Sequence, residues 1–74
     1  GRWGVLQDRF VAAATRRGAS PNAPNAHLAT LFDNSADARW LALTLDESAF
    51  AADWADDDAR YQECRERLDE LERV

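Results

Sequence analysis

Reactive and metal-binding side chains are scarce in this sequence. It contains one cysteine, Cys64, and one histidine, His27. A single thiol excludes an internal disulfide, and the two residues fall short of the four Cys or His ligands of a structural zinc site. Lysine, isoleucine and methionine are absent, and all nine basic residues are arginine. From the scarcity of Cys and His we expect no metal, and we expect no cofactor. The richness in Arg, Ala and Asp we attribute to a GC-rich bacterial gene.

Long hydrophobic runs are absent as well. No segment approaches the roughly 20 apolar residues that span a membrane. No apolar stretch follows a basic start, as it does in a secretory signal peptide. A single cysteine in 74 residues is more usual in a reducing compartment than in an oxidising one. These absences predict a soluble, cytoplasmic protein without a membrane segment.

Glycine and proline are confined to the first 24 residues. Gly18, Pro21 and Pro24 lie in a stretch that also contains Ser and Asn, which predicts a loop over residues 18–25. The fifty residues that follow contain neither breaker, so their turns must depend on Asp, Asn and Ser as helix caps. A chain of this length forms one domain, residues 1–74, with a thin core.

Alanine and leucine dominate the apolar residues, with 15 and 8 copies against 3 of valine. Helices favour Ala and Leu, whereas strands favour β-branched and aromatic residues. The composition therefore predicts an all-α fold, a small bundle of four to five helices.

Two helices are predicted in the first half of the chain. The first covers about residues 3–17 and ends at Gly18. Its apolar face contains Trp3, Leu6, Phe10 and Ala13, widened by Val5, Val11 and Ala14. The second is short, about residues 26–32, with Asn25 as its N-cap. Its shared face contains Leu28, Leu31 and Phe32.

The segment 36–45 fits two structures. As a helix it places Trp40, Leu41, Thr44 and Leu45 on one broad apolar face. As a strand it would alternate and pair with residues 28–32, giving an α+β fold with a hairpin at about 28–45 packed on the terminal helices. The Ala and Leu content favours the helix, because an isolated two-stranded hairpin is weak.

Two further helices are predicted after residue 45. Thr44 or Asp46 should cap a helix over about 47–55, and Thr44 with Glu47 matches a capping box. The final helix, about 57–73, has the clearest pattern, with apolar positions at Tyr61, Cys64, Leu68 and Leu71. Three pairs place an acid four residues before an arginine, the favourable orientation: Asp56–Arg60, Glu63–Arg67 and Asp69–Arg73.

Charge is distributed unevenly along the chain. Residues 1–30 have a balance of +3 and residues 31–74 a balance of −8, for a net charge of −5. A negative domain is repelled by nucleic-acid phosphates and by anionic membranes. A DNA-reading helix-turn-helix over 26–45 is a third, less favoured hypothesis, because Arg39 is the only base in that segment. We expect neither nucleic acid nor membrane as a direct partner.

No residue pattern indicates catalysis. A Cys–His pair would need Cys64 beside His27 with a third, orienting group, but Cys64 falls on the apolar face of the last helix. The acidic triplet Asp56, Asp57 and Asp58 lacks calcium-loop spacing and fits the negatively charged start of a helix. Glycine-rich phosphate loops and other catalytic motifs are missing. We predict that the chain is not an enzyme and binds no small molecule.

Protein binding is the function that these exclusions leave. Three tryptophans exceed the needs of a thin core, and although core packing is favoured for any one of them, Trp is common at binding hot spots. Trp54 follows Phe50 by four residues in an acidic setting, which fits an amphipathic helix docked in a groove. The predicted contact residues are Trp54, Tyr61, Leu68 and Leu71, with Asp53, Asp56, Asp57 and Asp58 as an acidic rim. The partner would be another protein or a second copy of this chain, and the module a docking domain or a regulatory or accessory subunit.

An acidic mimic of nucleic acid is the alternative hypothesis, based on the negative balance after residue 30. Such a protein would occupy the basic groove of a nucleic-acid-binding protein and inhibit it. It needs carboxylates spaced like phosphates on one continuous face. Carboxylates neutralised by neighbouring arginines would count against it.

Overall fold

The computed structural model describes residues 1–33, 35–48 and 56–73. These residues form four α-helices: α1 (Arg2–Thr15), α2 (Asn25–Ala29), α3 (Ala36–Ser48) and α4 (Asp58–Glu72). A single 3₁₀ turn, Thr30–Phe32, extends α2. The described residues contain no strand, so the predicted all-α class is confirmed and the α+β alternative is wrong.

Helix α1 buries the face that its spacing predicts. Leu6, Phe10, Ala13 and Ala14 are buried, and Trp3 packs partly against them. Val5 was expected on the same face but is 56% exposed, because it points to the other side of the helix axis. Gly18 has a φ of +97° and the amide of Ala19 donates to the carbonyl oxygen of Ala14, a glycine-dependent ending of the helix.

The exposure pattern of α3 shows why segment 36–45 is a helix. Leu41 and Leu45 are fully buried, whereas Leu43 between them is 64% exposed. A strand would place all three leucines on one face, because side chains alternate with a period of two. The helical period places Leu41 and Leu45 together and turns Leu43 outward.

The predicted break near residue 46 is wrong, because α3 continues without interruption to Ser48. Thr44 is buried in the middle of this helix, so it caps no helix start. Thr44, Leu41 and Leu45 are all buried, and this packing against the core stabilises the helix so that it continues past Asp46. Most of the helix expected over 47–55 lies outside the described residues.

Helix α4 closes the bundle by packing on both α1 and α3, while α2 packs chiefly on α3. Its buried residues, Cys64, Leu68 and Leu71, follow the predicted spacing. The amide of Arg60 donates to the side chain of Asp57 at 2.9 Å, which makes Asp57 the N-cap. Within the described ranges, no helix combines the length and apolar character needed to cross a membrane.

Candidate protein-binding surface

Two of the predicted contact residues lie inside the domain itself. Leu68 is fully buried and Leu71 is 6% exposed, both within the core that α4 shares with α1 and α3. Side chains packed this way contribute to folding and offer no surface to a partner. The buried residues of α4 follow the predicted spacing, and the chain's own helices cover Leu68 and Leu71.

Tyr61 is partly buried and packs against the edge of the core. Its ring meets Trp3 edge to face, with centroids 5.8 Å apart, and the guanidinium carbon of Arg2 lies 4.7 Å from its centre. These contacts attach the first turn of α4 to the start of α1. Trp3 and Tyr61 therefore act chiefly as packing residues at the edge of the core.

The acidic triplet marks the start of α4. Asp57 is the N-cap, Asp58 forms an ion pair with Arg2, and Asp56 is exposed just before the helix. Each position suits the partial positive charge of a helix N-terminus. The remaining predicted contacts, Asp53 and Trp54, lie outside the described residues.

Several carboxylates form ion pairs with an arginine of a neighbouring helix. Arg9 on α1 lies 2.7 Å from Asp69 and 2.9 Å from Glu72, both on α4. The hydrogen bonds to Glu72 and Asp69 raise the pKa of Arg9, and the hydrogen bond from Arg9 lowers the pKa of Asp69. These contacts join the two terminal helices by charge-assisted hydrogen bonds.

Arg67 connects α4 with α3 by the same chemistry. It lies 2.7 Å from Asp37 and 3.0 Å from Glu63, the latter being a predicted i,i+4 pair. Arg73 pairs with Glu70 rather than with the predicted Asp69, which is bonded to Arg9. Among the described residues, the carboxylates within 4.0 Å of an arginine include Asp37, Asp57, Asp58, Glu63, Asp69, Glu70 and Glu72. This neutralisation counts against a phosphate-like acidic face.

Cys64 and His27 occupy contrasting environments. Cys64 is fully buried, and desolvation by burial, followed by the charge of Glu63, raises its pKa to about 11. A thiol in that state is a poor nucleophile near neutral pH. His27 is exposed on the short α2. In the part of the chain that the structure describes, no three His, Cys, Asp or Glu residues are grouped as metal ligands would be.

An apolar cleft lies between α2 and α3. We call it the α2–α3 groove; it is a cleft of about 260 Å³ lined by Ala26, Ala29, Arg39, Ala42, Leu43 and Asp46. Leu43 and Val5 are the exposed large hydrophobic residues of the described chain. Leu43 borders this apolar cleft. Two charged residues of α3, Arg39 and Asp46, lie two helical turns apart on either side of it.

Sequence reasoning did not identify the α2–α3 groove. The available signal was Leu43, which falls outside the apolar face of Leu41 and Leu45 in the helical register. That signal identifies an exposed leucine but not the alanines of α2 beside it. Their proximity depends on how α2 packs on α3.

A second cleft, between α3 and α4, has a different character. It has a volume of about 330 Å³ and is lined entirely by charged residues: Asp37, Glu66, Arg67, Asp69, Glu70 and Arg73. Five of these six residues, all but Glu66, form the ion pairs described above, so most of its lining groups already have partners.

Comparisons of the chain with protein-family models, with curated proteins and with solved structures each found no match.

Proposed function

We propose that this chain is a non-enzymatic protein-binding domain whose contact surface is the α2–α3 groove. The observation that carries the proposal is Leu43, which is 64% exposed at the edge of an apolar cleft. Exposing a leucine that could be covered leaves unused about 1–2 kcal/mol of hydrophobic stabilisation. Association with another apolar surface recovers that free energy.

The shape of the groove favours a helix as the bound element. Ala26, Ala29 and Ala42 have short side chains, so the axis of an incoming helix can approach closely. Apolar side chains spaced three and four residues apart on that helix would fill the groove beside Leu43. Arg39 and Asp46 would then provide polar contacts at its ends.

The charge of the domain supports a protein partner. The net charge of −5 opposes approach to nucleic-acid phosphates and anionic lipids. A sequence with one cysteine suits the reducing cytoplasm, which we propose as the compartment. In this function the domain serves as a docking module or as a small regulatory or accessory subunit.

Site-specific photo-crosslinking tests the proposal. A photoreactive phenylalanine derivative replaces Leu43, and the matched control carries it in place of Val5, the other exposed large hydrophobic residue of the described chain. Both variants are irradiated in the native host cells and their products are identified by mass spectrometry. We expect a defined protein, which could be this chain itself, to be joined at position 43 and not at position 5. Equal labelling at both positions, or none at position 43, contradicts the proposal.

A further inference from the structure

We propose that the occupant of the α2–α3 groove is a second copy of this chain, bound so that the two α3 helices run antiparallel across a two-fold axis. This inference rests on the proposed function and names its partner. It is based on the order of four residues along the side of α3 that lines the groove, of which Arg39, Leu43 and Asp46 are exposed and Ala42 is largely buried.

That face has a self-complementary order of charge. Arg39, Ala42, Leu43 and Asp46 stand at positions i, i+3, i+4 and i+7, so they share one side of the helix. Arg39 and Asp46 are both exposed and lie two turns, about 10 Å, apart along the axis. A base thus stands at one end of the apolar pair and an acid at the other.

Antiparallel pairing matches these groups without a change of sequence. A two-fold axis midway between Ala42 and Leu43 places Arg39 of each copy opposite Asp46 of the other. It also places each Leu43 against Ala42 of the second copy, beside Ala26 and Ala29 of the second copy's α2. A two-fold interface uses the same surface patch on both copies, so Leu43 of each copy enters the groove of the other.

A parallel arrangement lacks this match. It would place Arg39 opposite Arg39 and Asp46 opposite Asp46, and like charges in contact are unfavourable. The guanidinium of Arg39 carries five N–H donors, so a carboxylate from a second copy can be accommodated together with contacts inside the domain. Charge complementarity therefore selects both the occupant and its direction.

Sedimentation velocity of the full chain tests self-association. The patch is small, so a weak dimer is expected, detectable between about 5 and 500 µM at about 0.15 M salt. Leu43→Gln should weaken the dimer by at least about 10-fold, since it removes the side chain that enters the groove. Val5→Gln, which removes from α1 the other large hydrophobic side chain exposed among the described residues, should leave the dissociation constant unchanged.

A charge exchange tests the direction of pairing. Arg39→Glu and Asp46→Arg should each weaken the dimer by about 10-fold, because each places like charges opposite one another twice. The double variant R39E/D46R should restore association, because the opposite charges meet again with their places exchanged. Circular dichroism verifies that every variant is folded; if R39E unfolds, D46R alone must still weaken the dimer.

The outcomes separate this inference from the proposed function. A wild-type chain that remains monomeric to about 500 µM, or a dimer unaffected by L43Q, overturns the second copy as occupant. A folded double variant that fails to recover overturns the antiparallel arrangement. Crosslinking from position 43 to a different protein in cells, together with a monomeric chain, would reject the dimer and preserve the protein-binding function.

Discussion

The guanidinium of Arg67 lies over the ring of Trp40, with its central carbon 4.2 Å from the ring centre. The same guanidinium bonds Asp37 at 2.7 Å and Glu63 at 3.0 Å. One side chain on α4 therefore binds both an aromatic ring and a carboxylate of α3. Trp40, one of three tryptophans that suggested a binding anchor, is used within the domain.

Replacing Arg67 with Met should destabilise the fold by about 1 kcal/mol, because it removes a cation–π contact and two partly exposed ion pairs. The matched control is Arg65→Met, an exposed position on the same helix, which should change stability by no more than about 0.5 kcal/mol. Urea denaturation followed by circular dichroism measures both. Equal effects of the two substitutions would show that the contacts of Arg67 with Trp40, Asp37 and Glu63 contribute nothing specific.

Two glycines should respond to alanine in opposite directions. Gly18 has a φ of +97°, a conformation that costs an L-residue about 1–2 kcal/mol, so Gly18→Ala should destabilise the domain by that amount. Gly4 lies within α1 with open space where a Cβ would be, so Gly4→Ala should stabilise it by about 0.5–1 kcal/mol. Thermal melts of the two variants check the sign. A stabilising Gly18→Ala would contradict the assigned helix ending.

Removing the N-cap of α4 should cost about 1 kcal/mol. Asp57→Ala leaves the amide of Arg60 without its side-chain acceptor. Asp56→Ala serves as the control, because it removes the same single negative charge from the residue before the cap, outside the helix. We expect a lower urea midpoint for D57A than for D56A. Indistinguishable midpoints would mean that total negative charge, rather than the cap, determines how α4 begins.

The contribution of Arg9 to stability should depend on pH. The hydrogen bond from Arg9 lowers the pKa of Asp69 in the folded state, so this carboxylate binds protons less readily when folded than when unfolded. The contribution of the Arg9–Asp69 pair to the free energy of unfolding is fully present above the unfolded pKa of about 4. It is lost as the pH falls through the lower pKa of Asp69 in the folded state. The melting temperature of the wild type should exceed that of Arg9→Gln at pH 7, with a gap that narrows below about pH 4. A gap that is constant down to pH 2 would refute this linkage.

The thiol of Cys64 should be unreactive in the folded protein. Burial raises the pKa of Cys64 to about 11, so thiolate is scarce near pH 8. We expect labelling by a thiol-specific disulfide reagent to be at least about 100-fold slower in buffer than in denaturant. The absorbance of the released thiolate reports the rate. Rapid labelling of the folded chain would show that Cys64 is accessible.

The amino-acid sequence determined the helical elements and their buried faces. Helical periodicity is a local property, so the spacing of Leu6 and Phe10 in α1, or of Cys64 and Leu68 in α4, was sufficient to predict which side is buried. The same reasoning favoured a helix over 36–45. It did not predict that α3 continues past Asp46, since burial of Thr44 and Leu45 by other helices outweighs the local capping signal.

The tertiary structure alone decided which apolar residues are available to a partner. Leu68 is covered by the chain's own core, whereas Leu43 stands exposed beside the alanines of α2. The bond between Arg9 and Asp69 likewise joins residues 60 positions apart. Such pairings depend on how helices pack, which involves residues distant in sequence, so no local pattern encodes them.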